Sequence, residues 1–250
     1  LIVFRRVLSS SLESTRFPTL PTSEESRVSN MLYIGNKNYS SWSLRPWLCL
    51  RWADIAFEER VIRLDQPGYG KQQIAEVKAV APNGTVPALH ADDIIIWDSL
   101  AIAEWAAEQA GPGVLWPADP VLRAQARSAA CEMHSGFAAV RRDLSMNIHR
   151  RLPAAPQWPD DTRAGLARID ALWTELRGRH AHLGPFLFGQ RCIADAFFAP
   201  VATRLRTYAV PLTDAAAAYR DAVLADADFR AWEAASVPNS WDASGYSVID

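Results

Sequence analysis

Residues 31–47 read MLYIGNKNYSSWSLRPW, and they join an apolar run to a helix through a polar turn. The run 31–35 is typical of a short buried strand, and the apolar pattern after the turn predicts a helix over about 43–53. A turn of this kind often holds an anion or a nucleophile, because the first N–H groups of the helix face it. The serines of the turn, Ser40, Ser41 and Ser43, are equally suited to cap the helix.

Pro46 restricts where that helix can begin. A proline has no backbone N–H, so it is tolerated in the first helical turn, where that group would lack a partner in any case. We therefore expect the regular helix to begin no earlier than Trp42 or Ser43. This makes Ser43 the predicted cap and leaves Ser40 and Ser41 as candidate catalytic hydroxyls.

The chain divides into two predicted domains. The first, 31–110, has the order β-α-β-α-β-β-α. After the strand and helix already described, it has predicted strands at 57–64, 86–89 and 94–97 and a short helix around 71–80. Its last helix begins at Ser99 and is stopped by the glycines and proline of 111–113. A proline-marked linker, 111–120, leads to the second, 121–250, whose alanine- and arginine-rich patterns predict helices at about 121–144, 160–178, 193–209 and 214–235. The predicted fold is an α/β domain followed by an all-α domain.

The first thirty residues have a different composition from the rest of the chain. A four-residue apolar start is followed by serine, proline and mixed charge, which predicts a disordered extension over 1–30. The apolar stretch is too short for the core of a signal peptide. Since a strand pattern begins at Met31, we expect Met31 to be the natural start.

The composition argues against several classes of partner. A net charge of −2 over 250 residues gives no electrostatic footprint for nucleic acid or an anionic membrane, and no apolar run approaches the ~20 residues of a membrane span. Cys49, Cys131 and Cys192 form no CxxC and lie among apolar residues, which predicts buried free thiols in the reducing cytoplasm. The pair His180 and His182 has no third ligand nearby in sequence, so we expect no metal.

Four motifs together resemble those of the cytosolic glutathione transferases. In chain order they are NYSSWSLR after the first predicted strand, TVP before the third, DSLAI after the fourth and CIAD at the start of a late helix. The resemblance spans residues 31 to about 235. It implies a thioredoxin-like N-terminal domain that binds glutathione as co-substrate, a helical domain that completes a pocket for a small hydrophobic electrophile, and a homodimer.

The resemblance also implies roles for single residues. Ser40 lies five residues before Arg45, which is the position of the activating serine in serine-type members, and Ser41 is its neighbour. A cis Val86–Pro87 bond after Thr85 would turn the Val86 backbone towards the cysteinyl part of glutathione. Asp98 and Ser99 would hold its γ-glutamyl end. The alternatives are an ordinary trans proline at the edge of a strand and a serine that only caps the following helix.

Ser40-Ser41-Trp42-Ser43 stands where the zeta class, which includes the maleylacetoacetate isomerases, has SSCS. Trp42 in place of the cysteine weighs against isomerase activity and removes the thiol that redox-type members use. In the second domain His134, Phe137 and Arg141, together with Trp42, could line an electrophile pocket, although an amphipathic helix would bury one face anyway. A glutathione transferase is the predicted function; a zeta-like isomerase and a non-catalytic binding protein of the same fold are the alternatives.

The run Cys192-Ile193-Ala194-Asp195 stands in place of the family's Ser/Thr-Ile-Ala-Asp capping motif. A thiol is a poor substitute for the capping hydroxyl, so we expect a weaker cap. The Asp195 carboxylate can still accept a bond from the backbone behind it.

Overall fold

The computed structural model describes residues 30–237 of the chain. The predicted disorder of 1–30 therefore lies outside the described residues, apart from Asn30. The first part of the described chain has the strands β1 Met31–Ile34, β2 Glu58–Val61, β3 Ala88–Ala91 and β4 Ile94–Trp97, with the helices α1 Ser41–Trp52, α2 Ala75–Lys78 and α3 Ser99–Ala110. The element order β-α-β-α-β-β-α agrees with the sequence prediction.

The four strands form one sheet in the order β2-β1-β3-β4. β1 runs parallel to β2 and antiparallel to β3, and β3 runs antiparallel to β4. Alternate residues of β1 face opposite sides of the sheet. Leu32 and Ile34 are fully buried in the main core with α1 and α3, whereas Tyr33 packs against a smaller cluster that includes Val77 of α2.

α1 begins at Ser41, with Ser40 as its N-cap, and this is earlier than Pro46 led us to predict. Pro46 lies inside the helix, where it cannot donate to the carbonyl four residues before it. The helix is buried on almost every side, and it packs between α3 and α7. Packing of its apolar residues therefore offsets the lost hydrogen bond. The rule used for Pro46 considers only local backbone chemistry and does not include this packing.

The rest of the described chain is mainly helical. It contains α4 Pro120–Ser135, α5 Ala138–Asp143, α6 Asp160–His180, a 3₁₀ turn at Ala181–Leu183, α7 Ile193–Thr207, α8 Asp214–Ala225 and α9 Ala227–Ala235. Two of the predicted helices are each divided in two: one at Phe137, which has a left-handed backbone (φ 58°), and one at Asp226, whose carboxylate caps α9. The division into domains at 111–120 stays a prediction, because one hydrophobic core contains residues from both halves.

α7 runs through the centre of the helical half and packs against α1 and α4. Its first turn is held by Asp195, whose carboxylate accepts the Cys192 N–H at 2.8 Å, as predicted. The same carboxylate accepts the Leu187 N–H at 3.1 Å and the Tyr219 hydroxyl at 2.9 Å. This network is buried and lies outside the lining of the cleft described below.

The cysteine prediction is confirmed in part. Cys49 and Cys192 are buried and free, and burial raises the pKa of both thiols. Cys131 is exposed, so its predicted burial is wrong: it lies on the solvent-facing side of α4. None of the helices between residues 30 and 237 is long and apolar enough to cross a membrane.

Candidate functional site

Three segments of the chain meet at one edge of the sheet. In the register of the strands, Tyr33 near the end of β1 pairs with Ala88 at the start of β3, and Ala88 pairs with Trp97 at the end of β4. The turn after β1, the segment before β3 and the start of α3 therefore emerge side by side. The sheet topology thus brings together motifs that lie far apart in sequence.

A cleft of about 450 Å³ lies at this edge. Of the predicted site residues, it is lined by Ser40, Trp42, Thr85, Val86, Pro87, Asp98 and Ser99. Ser41, His134, Phe137 and Arg141 are not among the lining residues. The predicted glutathione-binding residues are thus placed together, whereas the predicted electrophile set is divided.

Ser40 stands where the turn becomes α1, and its side chain makes no capping bond to the helix backbone. Its hydroxyl instead donates to Ser43 Oγ at 2.7 Å, and Ser43 Oγ also accepts the Gly35 N–H at 3.1 Å. The expectation that Ser43 caps the helix is therefore wrong: Ser43 lies in the first turn and is fully buried. Ser40 retains 6% of its surface exposed.

Ser41 has a different environment from its neighbour. It is fully buried, and its Oγ accepts a bond from Arg204 Nη2 at 3.3 Å. Arg204 is also fully buried and donates from Nε to the Leu144 carbonyl at 2.7 Å. Ser41 therefore faces the helical half of the protein, and only Ser40 of the predicted catalytic pair borders the cleft.

The Val86–Pro87 peptide bond is cis, so the alternative of an ordinary trans proline is wrong. Pro87 directly precedes β3, where its missing N–H takes no bond out of the ladder. The preceding turn is held by Asn83, whose Oδ1 accepts the Thr85 N–H at 3.2 Å and whose Nδ2 donates to Thr85 Oγ1 at 2.5 Å. The backbone of Val86 is thereby fixed at the cleft wall.

Asp98, and not Ser99, caps α3. Its Oδ1 accepts the Leu100 N–H at 2.7 Å, and its backbone has a positive φ of 73°, which is uncommon outside glycine. The alternative in which Ser99 only caps the helix is wrong, because Ser99 is the first helical residue. Ser99 lines the cleft, but its Oγ is covered and has no hydrogen-bond partner among the described residues. A rotation of the side chain is needed before this hydroxyl can meet a ligand.

His134 of α4 lies beside Asp98, with Nε2 3.5 Å from Oδ2. Its ring also makes an edge contact with Trp42, at 5.4 Å between ring centroids. Burial lowers the pKa of His134; Asp98 opposes this effect, and the cationic Arg45 and Arg141 add to it. His134 is therefore neutral at neutral pH, and its contact with Asp98 is not an ion pair there.

The remaining two residues of the predicted electrophile pocket, Arg141 and Phe137, pack mainly within the helical half of the protein. Arg141 donates from Nη1 to the carbonyls of Met133, at 3.3 Å, and Gly136, and its guanidinium lies 5.7 Å from the centre of the Trp42 ring. Phe137 is partly buried and packs on the main core. The left-handed backbone at Phe137 breaks the predicted helix there, so the assumption that it shares one helix face with His134 does not apply.

Sequence reasoning missed how the turn before α1 is held. Asn36 Oδ1 accepts the Leu64 N–H at 2.8 Å, and Asn38 Oδ1 accepts the Ile148 N–H at 2.9 Å. The two asparagines thus tie the turn that carries Ser40 to the chain after β2 and to the helical half. Their spacing gave no signal, because asparagines are ordinary turn residues.

Sequence reasoning also missed one wall of the cleft. The loop after β2 brings Gly68, Tyr69, Gly70 and Gln72 to it. Both glycines have positive φ, 96° and 70°, so they make the loop's bends without steric cost. The glycines and the nearby proline predicted a turn, but nothing in the local sequence showed that it reaches across to the sheet edge.

Comparison with known proteins finds a domain family and several proteins that this chain resembles. The sequence profile of the glutathione S-transferase N-terminal domain matches residues 39–109, which contain every cleft residue named above. Glutathione S-transferase GstB of Escherichia coli (strain K12) is 26% identical over 174 residues, covering 68% of this chain and 81% of the relative. Residues 39–109 therefore match a glutathione S-transferase domain, and the chain is similar to glutathione S-transferases.

Other known proteins are similar to this chain to a comparable degree. Maleylacetoacetate isomerase of Rattus norvegicus is 28% identical over 184 residues, covering 73% of this chain and 81% of that protein. The crystal structure of a glutathione transferase homolog from Burkholderia gl BGR1, with bound glutathione, has a TM-score of 0.61 at 22% identity and covers 81% of this chain and 95% of that one. This structural likeness confirms the predicted fold, a thioredoxin-like domain followed by helices.

The next feature is whether the described residues bring metal-binding side chains together. Residues 30–237 contain no group of three or more histidine, cysteine or acidic side chains that could hold a metal ion. His180, at the end of α6, is buried and packs on Phe188, with ring centroids 5.5 Å apart.

Proposed function

We propose that this protein is a glutathione transferase that activates the thiol of glutathione through the hydroxyl of Ser40. The observation that carries the proposal is the convergence of Ser40, the backbone at the cis Val86–Pro87 bond and the Asp98-capped start of α3 on one cleft. A bound tripeptide would place its sulfur near Ser40, its cysteinyl backbone on Val86 and its γ-glutamyl end at Asp98.

Ser40 is expected to supply the larger part of the activation. The thiol of glutathione has a pKa near or above ~8.5, and lowering it by ~2 units requires a preference for the thiolate of ~2.7 kcal/mol. A hydroxyl that donates to a charged sulfur supplies ~1.5–3 kcal/mol, and a helix N-terminus supplies ~0.3–1 kcal/mol. Since α1 begins directly after Ser40, both contributions act at the same place.

The test is to replace Ser40 and follow the bound thiol. In Ser40→Ala, the pKa of bound glutathione should rise by about one to two units, and conjugation at neutral pH should fall about tenfold or more, recovering as the pH is raised. Glutathione affinity should change little, because the rest of the tripeptide is held elsewhere. The matched control is Ser41→Ala, which removes a neighbouring hydroxyl bonded to Arg204. If Ser41→Ala reproduces the change in thiol pKa and Ser40→Ala does not, the assignment to Ser40 is wrong.

A glutathione-dependent isomerase is the second candidate, because one relative is a maleylacetoacetate isomerase. Against it stands Trp42, which lines the cleft next to Ser40 where the zeta class has a cysteine. We expect turnover of maleylacetone to be slow or absent while conjugation of small electrophiles proceeds. An isomerase rate far above the conjugation rate in the same preparation would reverse this ranking.

A non-catalytic binding protein would keep the cleft without using it. Retention on immobilised glutathione, measured together with turnover of a panel of electrophiles, separates this alternative from an enzyme. Retention with no turnover of any electrophile would support a carrier. We expect both retention and turnover, because a carrier does not need a hydroxyl placed for the sulfur.

We also propose that the protein is a homodimer in the cytoplasm. β4 is an edge strand, and Ile95 and Trp97, which lie on the same face of it, are 42% and 45% exposed, which is an apolar surface suited to a second copy. The buried free thiols of Cys49 and Cys192 favour a reducing compartment. Sedimentation should give a dimer at micromolar concentration, and a stable monomer would contradict the first part.

A further inference from the structure

We propose that Ser43 is a positioning residue for the thiol chemistry: it holds the Ser40 hydroxyl and reverses their shared hydrogen bond when a thiolate binds. The inference rests on the proposed role of Ser40 and extends it to a residue that does not line the cleft. The contact that carries it is the 2.7 Å bond between the two hydroxyls.

The surroundings of Ser43 fix its oxygen in place. Ser43 is fully buried in the first turn of α1, and its Oγ accepts the N–H of Gly35 at 3.1 Å. A Cβ on residue 35 would come within 3.1 Å of the Ser40 Cβ and 2.5 Å of Leu64 Cδ1. A side chain at position 35 would therefore crowd the turn that carries Ser40 and displace the Leu64 side chain.

The hydrogen-bonding capacity of Ser43 decides where the Ser40 hydrogen points. A serine hydroxyl has one hydrogen to donate and two lone pairs that accept. Gly35 and Ser40 occupy both lone pairs of Ser43 Oγ. In this arrangement the hydrogen of Ser40 is directed at Ser43 and not at the cleft.

A thiolate in the cleft would reverse this direction. Ser40 must rotate its hydrogen towards the sulfur, and Ser43 can then turn its own hydrogen onto Ser40 Oγ at the same oxygen–oxygen distance. The two rotations transfer no proton and break no covalent bond. The result is a chain in which Ser43 donates to Ser40 and Ser40 donates to the sulfur, and such chains strengthen each bond by polarisation.

Two other roles for Ser43 make different predictions. If Ser43 only competed with the sulfur for the hydrogen of Ser40, its removal would lower the pKa of the bound thiol. If it only satisfied the buried N–H of Gly35, its removal would lower stability and leave the thiol pKa unchanged. The pKa of the bound thiol therefore distinguishes the three roles.

The experiment measures the pKa of protein-bound glutathione from the ultraviolet absorbance of its thiolate, in the wild type and in Ser43→Ala, Ser43→Thr, Ser40→Ala and the Ser40→Ala/Ser43→Ala double variant. Ser43→Ala should raise the pKa by about half a unit, with little change in glutathione affinity. Ser43→Thr keeps the hydroxyl and should restore most of the wild-type value. The double variant should match Ser40→Ala, because Ser43 acts through Ser40.

The control is Thr203→Val, which removes a buried hydroxyl bonded to the Pro200 carbonyl in α7, outside the cleft lining. It should lower stability without moving the thiol pKa. If Ser43→Ala does not fold, Ser43→Cys keeps the volume with a weak donor and acceptor, and it should also raise the pKa.

An unchanged or lowered pKa in Ser43→Ala or Ser43→Cys would overturn the inference, as would a double variant in which the two effects add. If the wild-type thiol is itself no more acidic than free glutathione, the proposed function fails as well. If the wild type binds glutathione with an acidic thiol, and Ser40→Ala raises the pKa of that thiol whereas Ser43→Ala does not, the proposed function stands and the role of Ser43 is wrong.

Discussion

The helices α1 and α3 both begin at the cleft, and each has a serine at its first residues, but the two serines are held differently. At α1 the hydroxyl of Ser40 has a partner, Ser43, and leaves the helix backbone uncapped. At α3 the carboxylate of Asp98 caps the helix, and the hydroxyl of Ser99 has no partner among the described residues. The same local signal, a serine before an apolar helix, therefore has two structural outcomes.

The difference indicates two functions for the two helix starts. A hydroxyl whose oxygen is held in place by a neighbouring hydroxyl needs only a rotation of its hydrogen to act, which suits a group that must act on a reacting atom. A covered hydroxyl without a partner carries a desolvation cost that a ligand can relieve, which suits a binding contact. We therefore assign thiol activation to the start of α1 and ligand binding to the start of α3, and the predictions below test that division.

The largest effect is expected at Asp98. Asp98→Ala removes the charge proposed to bind the γ-glutamyl end, so the Kd for glutathione should rise about tenfold to a hundredfold. It also removes the α3 cap, at a cost of about 1 kcal/mol of unfolding free energy. Calorimetric titration and urea unfolding measure the two effects.

Asp98→Asn is the matched control for that substitution. Asparagine keeps an oxygen for the Leu100 N–H and tolerates the positive φ, so stability should stay near that of the wild type. Glutathione affinity should still fall, because the charge is lost. Wild-type affinity in Asp98→Asn would mean that the carboxylate of Asp98 is only a cap, and the division between the two helix starts would fail.

A smaller effect is expected at Ser99. Ser99→Ala should raise the Kd for glutathione about twofold to tenfold, since one neutral hydrogen bond is lost. In the absence of glutathione, its unfolding free energy should equal or exceed that of the wild type, because the removed hydroxyl has no partner to lose. Ser41→Ala should do the opposite, with lower stability from the loss of the Arg204 contact and unchanged affinity. Lower stability with unchanged affinity in Ser99→Ala would contradict the assignment.

The smallest effect concerns pH and His134, which faces the start of α3. Burial lowers its pKa in the folded state, so the unfolded chain binds the proton more readily. The free energy of unfolding should therefore have its full value at a pH above about 6.5, the ordinary pKa of histidine. It should decline as the pH falls below that value. His134→Gln should reduce that decline in urea unfolding at about pH 7.5 and pH 5.5.

His180 provides the control for this measurement, because burial lowers its pKa as well and it lies outside the cleft lining. His180→Gln should also reduce the decline in stability while leaving the pH dependence of glutathione binding unchanged. If His134→Gln leaves the decline in stability as steep as in the wild type, its neutral state in the folded protein is not what we infer.

The local sequence was sufficient for the elements and their order, and it failed where tertiary contacts override local rules. It predicted all four strands, including β2, whose residues Glu58–Val61 are exposed and mostly charged. It placed the start of α1 too late, because burial of the helix outweighs the lost bond of Pro46. It left the α3 cap open, because a carboxylate and a hydroxyl next to each other are both good caps and only the backbone geometry at Asp98 decides between them.

The sequence by itself determined the fold and the resemblance to the glutathione transferases, because apolar periodicity and four short motifs depend on residues close together in the chain. Only the tertiary structure decided which serine borders the cleft. Ser40 and Ser41 are adjacent and chemically identical, but the direction in which each side chain leaves α1 sends one to the sheet edge and the other to Arg204. The pairing of Ser40 with Ser43 was decided in the same way, because it depends on where the N–H of Gly35 at the end of β1 lies relative to the first turn of α1.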